Sequence, residues 1–156
     1  MHHEKIVLSL FLLFSVSQAE EENLKVVYDL TSKNINKIKQ NILKGIVAHK
    51  NYYAGEFKEL NVAIVIHGGA YRYFVEDLET TEYKSDTELS AEFHSLKKRL
   101  RNLADTYDVE FFMCGVGVKK HKLTDNIVSF VTVLPNSTIG LITKQNEGYA
   151  YIPVGD

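Results

Sequence analysis

The sequence has a single cysteine, no tryptophan and no excess of basic residues. Its 18 lysines and arginines stand against 20 aspartates and glutamates, giving a formal net charge of -2. Nucleic-acid-binding proteins usually carry a basic excess, because neutralising phosphates supplies much of their affinity, so no nucleic-acid partner is expected. Internal repeats, low-complexity segments and linkers are also absent. The 156 residues therefore predict one domain rather than two.

No apolar run is long enough to cross a membrane. The run from Ile6 to Val16 would rise only about 17 Å as a helix, whereas a hydrocarbon core is about 30 Å thick. It follows a short polar segment and precedes Ser17-Gln18-Ala19, a layout typical of a secretory signal peptide that is cleaved after the alanine. We therefore expect residues 1–19 to be removed, and residues 20–156 to form a periplasmic or secreted domain that does not contact the membrane.

Five apolar runs alternate with helical patterns. The run Val62 to Ile66 is apolar at every position, which is typical of a central parallel strand covered on both faces. The alternation predicts an α/β fold, a three-layer sandwich around a mainly parallel five-stranded sheet. The predicted strands are Leu24 to Leu30, Leu60 to His67, Val109 to Cys114, Ile127 to Leu134 and Tyr149 to Val154, and Pro153 favours the sheet edge for the last of them.

Helical spacing predicts three helices between these strands. The first runs from about Ile35 to Tyr53, the second carries an apolar stripe from Leu89 to Leu103, and the third begins at Pro135-Asn136-Ser137. The stretch from Ala70 to Lys84 is predicted as a polar, acidic connection. Gly115-Val116-Gly117 is predicted as a tight turn.

Cys114 is the residue most able to carry chemistry. Exported domains usually pair their cysteines, so a single one indicates an intermolecular bridge, a free reactive thiol or a small buried hydrophobe. Cys114 precedes glycines that leave backbone N–H groups open, and the basic stretch Lys119 to Lys122 follows soon after; positive charge lowers a thiol pKa. One cysteine can carry sulfur as a persulfide or form a mixed disulfide. Spacing alone leaves a reactive and a structural role equally open.

Two glycine-containing turns lie at the carboxyl ends of predicted strands, where ligands bind in open parallel sheets. They are His67-Gly68-Gly69 and Cys114-Gly115-Val116-Gly117. If the two strands are neighbours, both turns share one edge of the sheet. The candidate site therefore has Cys114 as the reacting group, with His67, Gly68, Gly69, Gly115 and Gly117 as candidate binding residues.

Other chemistries lack part of their pattern. A histidine-glycine-glycine turn is also found in esterases, but the sequence has no Gly-x-Ser-x-Gly nucleophile motif. Gly115-x-Gly117 lacks the third glycine of a dinucleotide-binding fingerprint. The histidines after residue 20 include no pair three or four residues apart, and a second cysteine is missing. We therefore expect no metal and no cofactor, and the sequence leaves open whether the protein is an enzyme.

Four segments resemble the DsrE/DsrF-like (YchN-like) family, in its exported branch. The Cys-Gly pair after an apolar strand, combined with the terminal Glu-Gly-Tyr-Ala-Tyr-Ile, carries the resemblance most specifically. The segments are KVVYDLTS at Lys25 to Ser32, VAIVIHGGA at Val62 to Ala70, VEFFMCG at Val109 to Gly115 and NEGYAYIPV at Asn146 to Val154.

The resemblance implies a five-stranded parallel α/β sandwich that assembles as a homo-oligomer, a trimer or a hexamer. It also implies sulfur-relay chemistry, with sulfur carried on a cysteine at a subunit interface and exchanged with a donor or acceptor protein. The family cysteine falls on Cys114, and the histidine-glycine turn falls on His67 and Gly68. The chain departs from the family at Val116-Gly117, where the branch often has Asn-Thr.

Two functions follow as expectations. In the first, Cys114 accepts sulfane sulfur, and His67 with nearby N–H groups stabilises the thiolate or persulfide. In the second, the protein is a non-catalytic oligomeric module that binds a small ligand or a protein, and its cysteine is structural.

Overall fold

The computed structural model describes residues 23–156. The predicted signal peptide, residues 1–19, lies outside the described residues and stays a prediction. Within residues 23–156 the strands are β1 (Leu24–Leu30), β2 (Leu60–Ile66), β3 (Val109–Cys114), β4 (Val131–Leu134) and β5 (Ala150–Val154). They form one sheet in the order β4-β3-β2-β1-β5, and every neighbouring pair is parallel.

The centre of the sheet follows from the apolar runs. Val62 to Ile66 in β2 are all buried, because helices cover both faces of this strand. The mostly exposed, proline-containing strand β5 lies at one edge, and β4 lies at the other. The predicted α/β sandwich with a parallel five-stranded sheet is therefore confirmed.

The helices are α1 (Ile35–Lys37), α2 (Gly45–Gly55), α3 (Thr87–Tyr107), α4 (Gly115–Lys120) and α5 (Ser137–Asn146). Between α1 and α2 the chain continues as a π-helix over Ile38–Lys44, and two 3₁₀ helices cover Gly68–Tyr73 and Glu82–Ser85. Asp86 caps α3 by accepting the Leu89 N–H at 3.0 Å. In the part of the chain that is described, no helix combines the length and apolar character needed to span a membrane.

The two faces of the sheet are covered unequally. One face holds the large core, formed with the apolar sides of the α1–α2 segment and of α3. On the other face, α5 packs over a small cluster of Val27, Ala63 and Val65. This second face carries the polar residues at the carboxyl edge of the sheet, because side chains alternate along a strand.

Three local predictions were wrong. The segment 70–84, predicted as a polar, acidic connection, instead contributes to the larger core, where Tyr71, Phe74 and Leu78 among others are buried. The predicted fourth strand is shorter and begins at Val131. Gly115-Val116-Gly117 is not a tight turn but the first turn of α4, which starts directly after Cys114.

Candidate functional site

Cys114 and His67 lie at the same edge of the sheet. β2 and β3 are adjacent, and Ile66 pairs with Met113, so the next residues, His67 and Cys114, follow at neighbouring positions. Cys114 comes two residues after Phe112, whose side chain packs under α5, and His67 comes two residues after Val65. Alternation therefore directs both residues toward the α5 side of the sheet, although Cys114, where the chain turns into α4, also packs against the larger core.

The Cys114 thiol is surrounded by backbone N–H groups. It lies at the N-terminus of α4, within hydrogen-bonding reach of the amides of Val116 and Gly117. Cys114 pairs with Leu134 of β4, and the short connection from there into α5 brings the Ser137 amide to the thiol as well. Amides from the N-termini of two helices thus converge on the sulfur of a residue that is only 7% exposed.

This setting lowers the pKa of the Cys114 thiol from 9.0 to about 7. Burial acts in the opposite direction and is the largest single influence, but hydrogen bonds from Gly117, Tyr71, Ser137 and Val116 stabilise the thiolate and outweigh it. About half of the thiol is therefore ionised at neutral pH. The amides account for the lowering, in place of the lysine charges that the sequence suggested.

Tyr71 closes the site from the larger core. Its hydroxyl donates to the Cys114 carbonyl oxygen at 3.0 Å and also lies within reach of the sulfur. A phenol has a single proton, so it cannot donate to both acceptors at once, and the three amides are the more constant donors to the thiolate. Burial and the neighbouring Cys114 raise the pKa of Tyr71, which keeps this hydroxyl protonated and able to donate.

The glycines after Cys114 are required by close packing. A Cβ on Gly117 would lie 2.5 Å from Cε2 of Tyr71 and closer still to Cζ and Oη. A Cβ on Gly115 would lie 2.5 Å from the Leu134 carbonyl oxygen. These two glycines therefore let the first turn of α4 approach both Tyr71 and β4, and this brings the amides to the sulfur. The structure shows the packing role of both glycines and the amide role of Gly117. Contact of either glycine with a ligand stays a prediction.

His67 pairs with a carboxylate rather than with the thiol. Its Nε2 lies 2.6 Å from Oδ1 of Asp29 in β1, and the other oxygen of that carboxylate, Oδ2, accepts the Tyr151 hydroxyl of β5 at 2.6 Å. The Asp29 side chain is 14% exposed and that of His67 is 29% exposed. Three neighbouring strands thus supply one hydrogen-bonded row beside Cys114.

The two glycines after His67 serve the turn that leaves β2. Gly68 adopts a φ of +60°, the left-handed region that favours glycine, and the Gly69 amide donates to the Thr31 carbonyl oxygen at 2.8 Å. A Cβ on Gly69 would lie 2.8 Å from Cβ of Lys33. The Gly69 N–H is therefore occupied within the fold, and ligand binding by this pair stays a prediction.

An apolar groove of about 900 Å³ runs beside the thiol. It is lined by Gly115, which follows Cys114 in the chain, and by Leu134, which pairs with Cys114 on the neighbouring strand. Val116 and Val133 give it exposed apolar walls, and the two lysines of α4 lie along it. The basic stretch predicted from the sequence thus faces a groove next to the sulfur.

Sequence reasoning missed three residues of this site: Asp29, Tyr71 and Tyr151. Asp29 and Lys25 are the two charged residues within Leu24–Leu30, and Asp29 lies at the carboxyl end between buried neighbours, which is a usable signal for a carboxylate with partners. No comparable signal identifies Tyr71 or Tyr151, because each is one of nine tyrosines and meets its partner only through the fold.

Comparison with known proteins agrees with this fold. An uncharacterized protein of Aquifex aeolicus (strain VF5) is 26% identical over 151 residues, and the match spans 96% of this chain and 65% of that protein. The solved structure of MTH1491, a protein of unknown function from Methanobacterium thermoautotrophicum, has the same fold, with a TM-score of 0.52 and 19% identity over 84% of this chain and 99% of the other. A family model described as the DsrE/DsrF-like family matches residues 9–154. The chain therefore belongs to the DsrE/DsrF-like family.

Proposed function

We propose that this protein carries sulfane sulfur as a persulfide on Cys114. Membership of the DsrE/DsrF-like family supports a role related to sulfur relay. The observation that carries the finer proposal is the acidic thiol, whose pKa of about 7 is produced by backbone amides that converge on the sulfur. A thiol of this acidity combines a large thiolate fraction at neutral pH with good nucleophilicity.

Loading is a displacement at sulfur. The Cys114 thiolate attacks the outer sulfur of a donor persulfide R–S–SH, a new S–S bond forms, and the bond between the two donor sulfurs breaks. The electron pair of the broken bond leaves on R–S⁻, which becomes R–SH when it takes up a proton. The amides that donate hydrogen bonds to the Cys114 thiolate can also donate to the persulfide that replaces it.

Export and assembly belong to the same proposal. The signal segment predicted at residues 1–19 supports a periplasmic or secreted location. Exposed large apolar side chains at both edges of the sheet and on α5 support a homo-oligomer, because association would remove them from water. They are Val133, Ile139, Ile142, Tyr151 and Ile152. A monomeric mass by light scattering at micromolar concentration would contradict the trimer or hexamer.

Mass spectrometry tests the sulfur-carrier proposal directly. The protein is incubated with inorganic polysulfide, freed of excess reagent and weighed intact. We expect a gain of one sulfur atom that is removed by reductant and is missing in Cys114→Ser, which keeps the size of the side chain. If wild-type protein shows no gain in mass after incubation with polysulfide, the sulfur-carrier proposal is wrong.

Burial of Cys114 favours a second candidate, a non-catalytic oligomeric module that binds a small ligand or a protein and has a structural cysteine. Alkylation separates the two candidates. A reactive thiol should be modified by iodoacetamide in the folded protein, with a rate that rises with pH around a midpoint of about 7. A thiol that stays unmodified until the protein unfolds would favour the binding module.

A further inference from the structure

A row of hydrogen bonds joins three strands at the carboxyl edge of the sheet. The Asp29 carboxylate makes two short hydrogen bonds, both at 2.6 Å. One is with the imidazole of His67, and the other is donated by the hydroxyl of Tyr151. A carboxylate that is only 14% exposed in the middle strand of such a row needs donors for both of its oxygens. Each oxygen has a hydrogen-bond partner, and these two bonds offset the cost of burying the carboxylate.

The row determines how the His67 ring is protonated. An ionised carboxylate only accepts hydrogen bonds, so Nε2 of His67 must donate to Asp29. The ring therefore exchanges its second proton at Nδ1, which has no hydrogen-bond partner among residues 23–156. When Nδ1 gains a proton, the charge of the imidazolium is balanced by the Asp29 carboxylate on its other side.

The sheet brings His67 and Cys114 to corresponding positions at the ends of neighbouring strands. His67 follows Ile66 and Cys114 follows Met113, and these two pairs are in register on neighbouring strands. We infer that His67 is the proton carrier of sulfur transfer at Cys114, and that Asp29 and Tyr151 are positioning residues which fix its tautomer and orientation. The inference rests on the proposed function, since it concerns the protons of the same loading step.

Loading then balances without any outside proton source. Nδ1 of His67 takes the thiol proton of Cys114, directly or through one water. The Cys114 thiolate attacks the outer sulfur of R–S–SH, and the electron pair of the broken bond leaves on R–S⁻. The imidazolium gives its proton to that thiolate, so the products are Cys114–S–SH, R–SH and neutral imidazole. The substrate class is therefore an aliphatic persulfide, whose leaving thiolate is basic enough to need a proton.

Two donors that differ in the leaving group separate this role from a structural one. Cysteine persulfide releases a basic alkyl thiolate, whereas methyl methanethiosulfonate is a small reagent that releases methanesulfinate, a weak base that departs without a proton. Rates of modification at Cys114 are measured for both donors at neutral pH by quenching and intact mass. The variants are His67→Gln and Asp29→Asn, with His94→Gln as a control on the exposed surface of α3.

We expect His67→Gln to slow loading from cysteine persulfide by about a hundredfold, the low end for loss of an acid-base group. The methanethiosulfonate rate should change by less than about twofold, because about half of the thiol is already ionised at neutral pH and this leaving group needs no proton. Asp29→Asn should show the same selectivity with a smaller loss, and His94→Gln should match wild type with both donors. Equal slowing with both donors, or no slowing with either, would overturn the role of His67 while the sulfur-carrier proposal stands. Failure of the wild type to load from the persulfide, with normal methanethiosulfonate modification, would overturn both.

Discussion

Removing the Cys114 sulfur should destabilise the protein by an amount that grows with pH. The thiol titrates at about 7 in the folded chain, compared with 9.0 for an unperturbed cysteine. The folded state therefore stabilises the thiolate, relative to the thiol, more than the unfolded state does. This contribution is complete above about pH 9, and it is lost as pH falls from there through about pH 7, where the folded thiol takes up its proton. Alanine at position 114 has no such contribution.

The size of the effect follows from the difference of about two pKa units. Each unit corresponds to about 1.4 kcal/mol, so the thiolate adds about 2–3 kcal/mol to the free energy of unfolding above pH 9. Near pH 6 it adds nothing, and the cost of Cys114→Ala is then only that of the missing buried atom, about 1 kcal/mol. The difference between wild type and variant should therefore rise to about 3–4 kcal/mol across this range.

Urea unfolding in the presence of a phosphine reductant measures this difference at several pH values between about 6 and 9.5. Taking the difference between the two proteins cancels the other titrating groups that both share. A difference that stays constant with pH would refute the argument, because it would mean that the amides of α4 and α5 do not stabilise a thiolate.

Three further changes have defined outcomes. Gly117→Ala should lower the free energy of unfolding, measured in urea, by about 1–3 kcal/mol, because its Cβ would overlap the buried Tyr71 ring. Gly55→Ala, with open space around it, should be neutral or stabilising by up to about 1 kcal/mol. Equal effects of the two substitutions would refute the packing argument. Phe57→Gly should gain up to about 1 kcal/mol in the same assay, because this fully exposed residue has a φ of 57° that costs an L-residue about 1–2 kcal/mol, and a loss of stability would contradict this. Asp86→Ala should lower the Tm by removing the α3 cap, worth about 1–2 kcal/mol, while Asp86→Asn keeps the cap and should lose less; similar losses for the two variants would count against the cap.

The strands could be predicted because burial on both faces leaves a simple pattern. Val62 to Ile66 is apolar at every position, and only a central strand of a layered fold buries such a run completely. The stripe of α3 from Leu89 to Leu103 is equally readable. The π-helix over Ile38–Lys44 could not be read in the same way, because the isoleucine spacing that it contains also fits an ordinary α-helix.

The site was only partly predictable, since it depends on contacts between distant parts of the chain. The shared sheet edge of Cys114 and His67 could be predicted because Cys114 ends a strand and His67 directly follows one. The prediction of a turn at Gly115 was wrong because a glycine can be required either by an unusual backbone angle or by a close neighbour. Here the reason is close neighbours, Leu134 of β4 for Gly115 and Tyr71 for Gly117. Asp29 and Tyr151 are 122 residues apart in the sequence, and no local pattern around either residue predicts their contact.

The direction of the strands has a practical consequence for anyone who wishes to attach something to this protein. β1 starts at Leu24 on the far rim of the sheet, so an affinity tag or fusion partner joined upstream leaves the molecule on the side opposite the sulfur. The other terminus ends among the loops around the sulfur-bearing rim, where Asp156 accepts the Ser32 hydroxyl at 2.6 Å. Cargo attached there would crowd the rim that carries Cys114, so assays of sulfur transfer are best made with tags inserted between the predicted signal segment and Leu24.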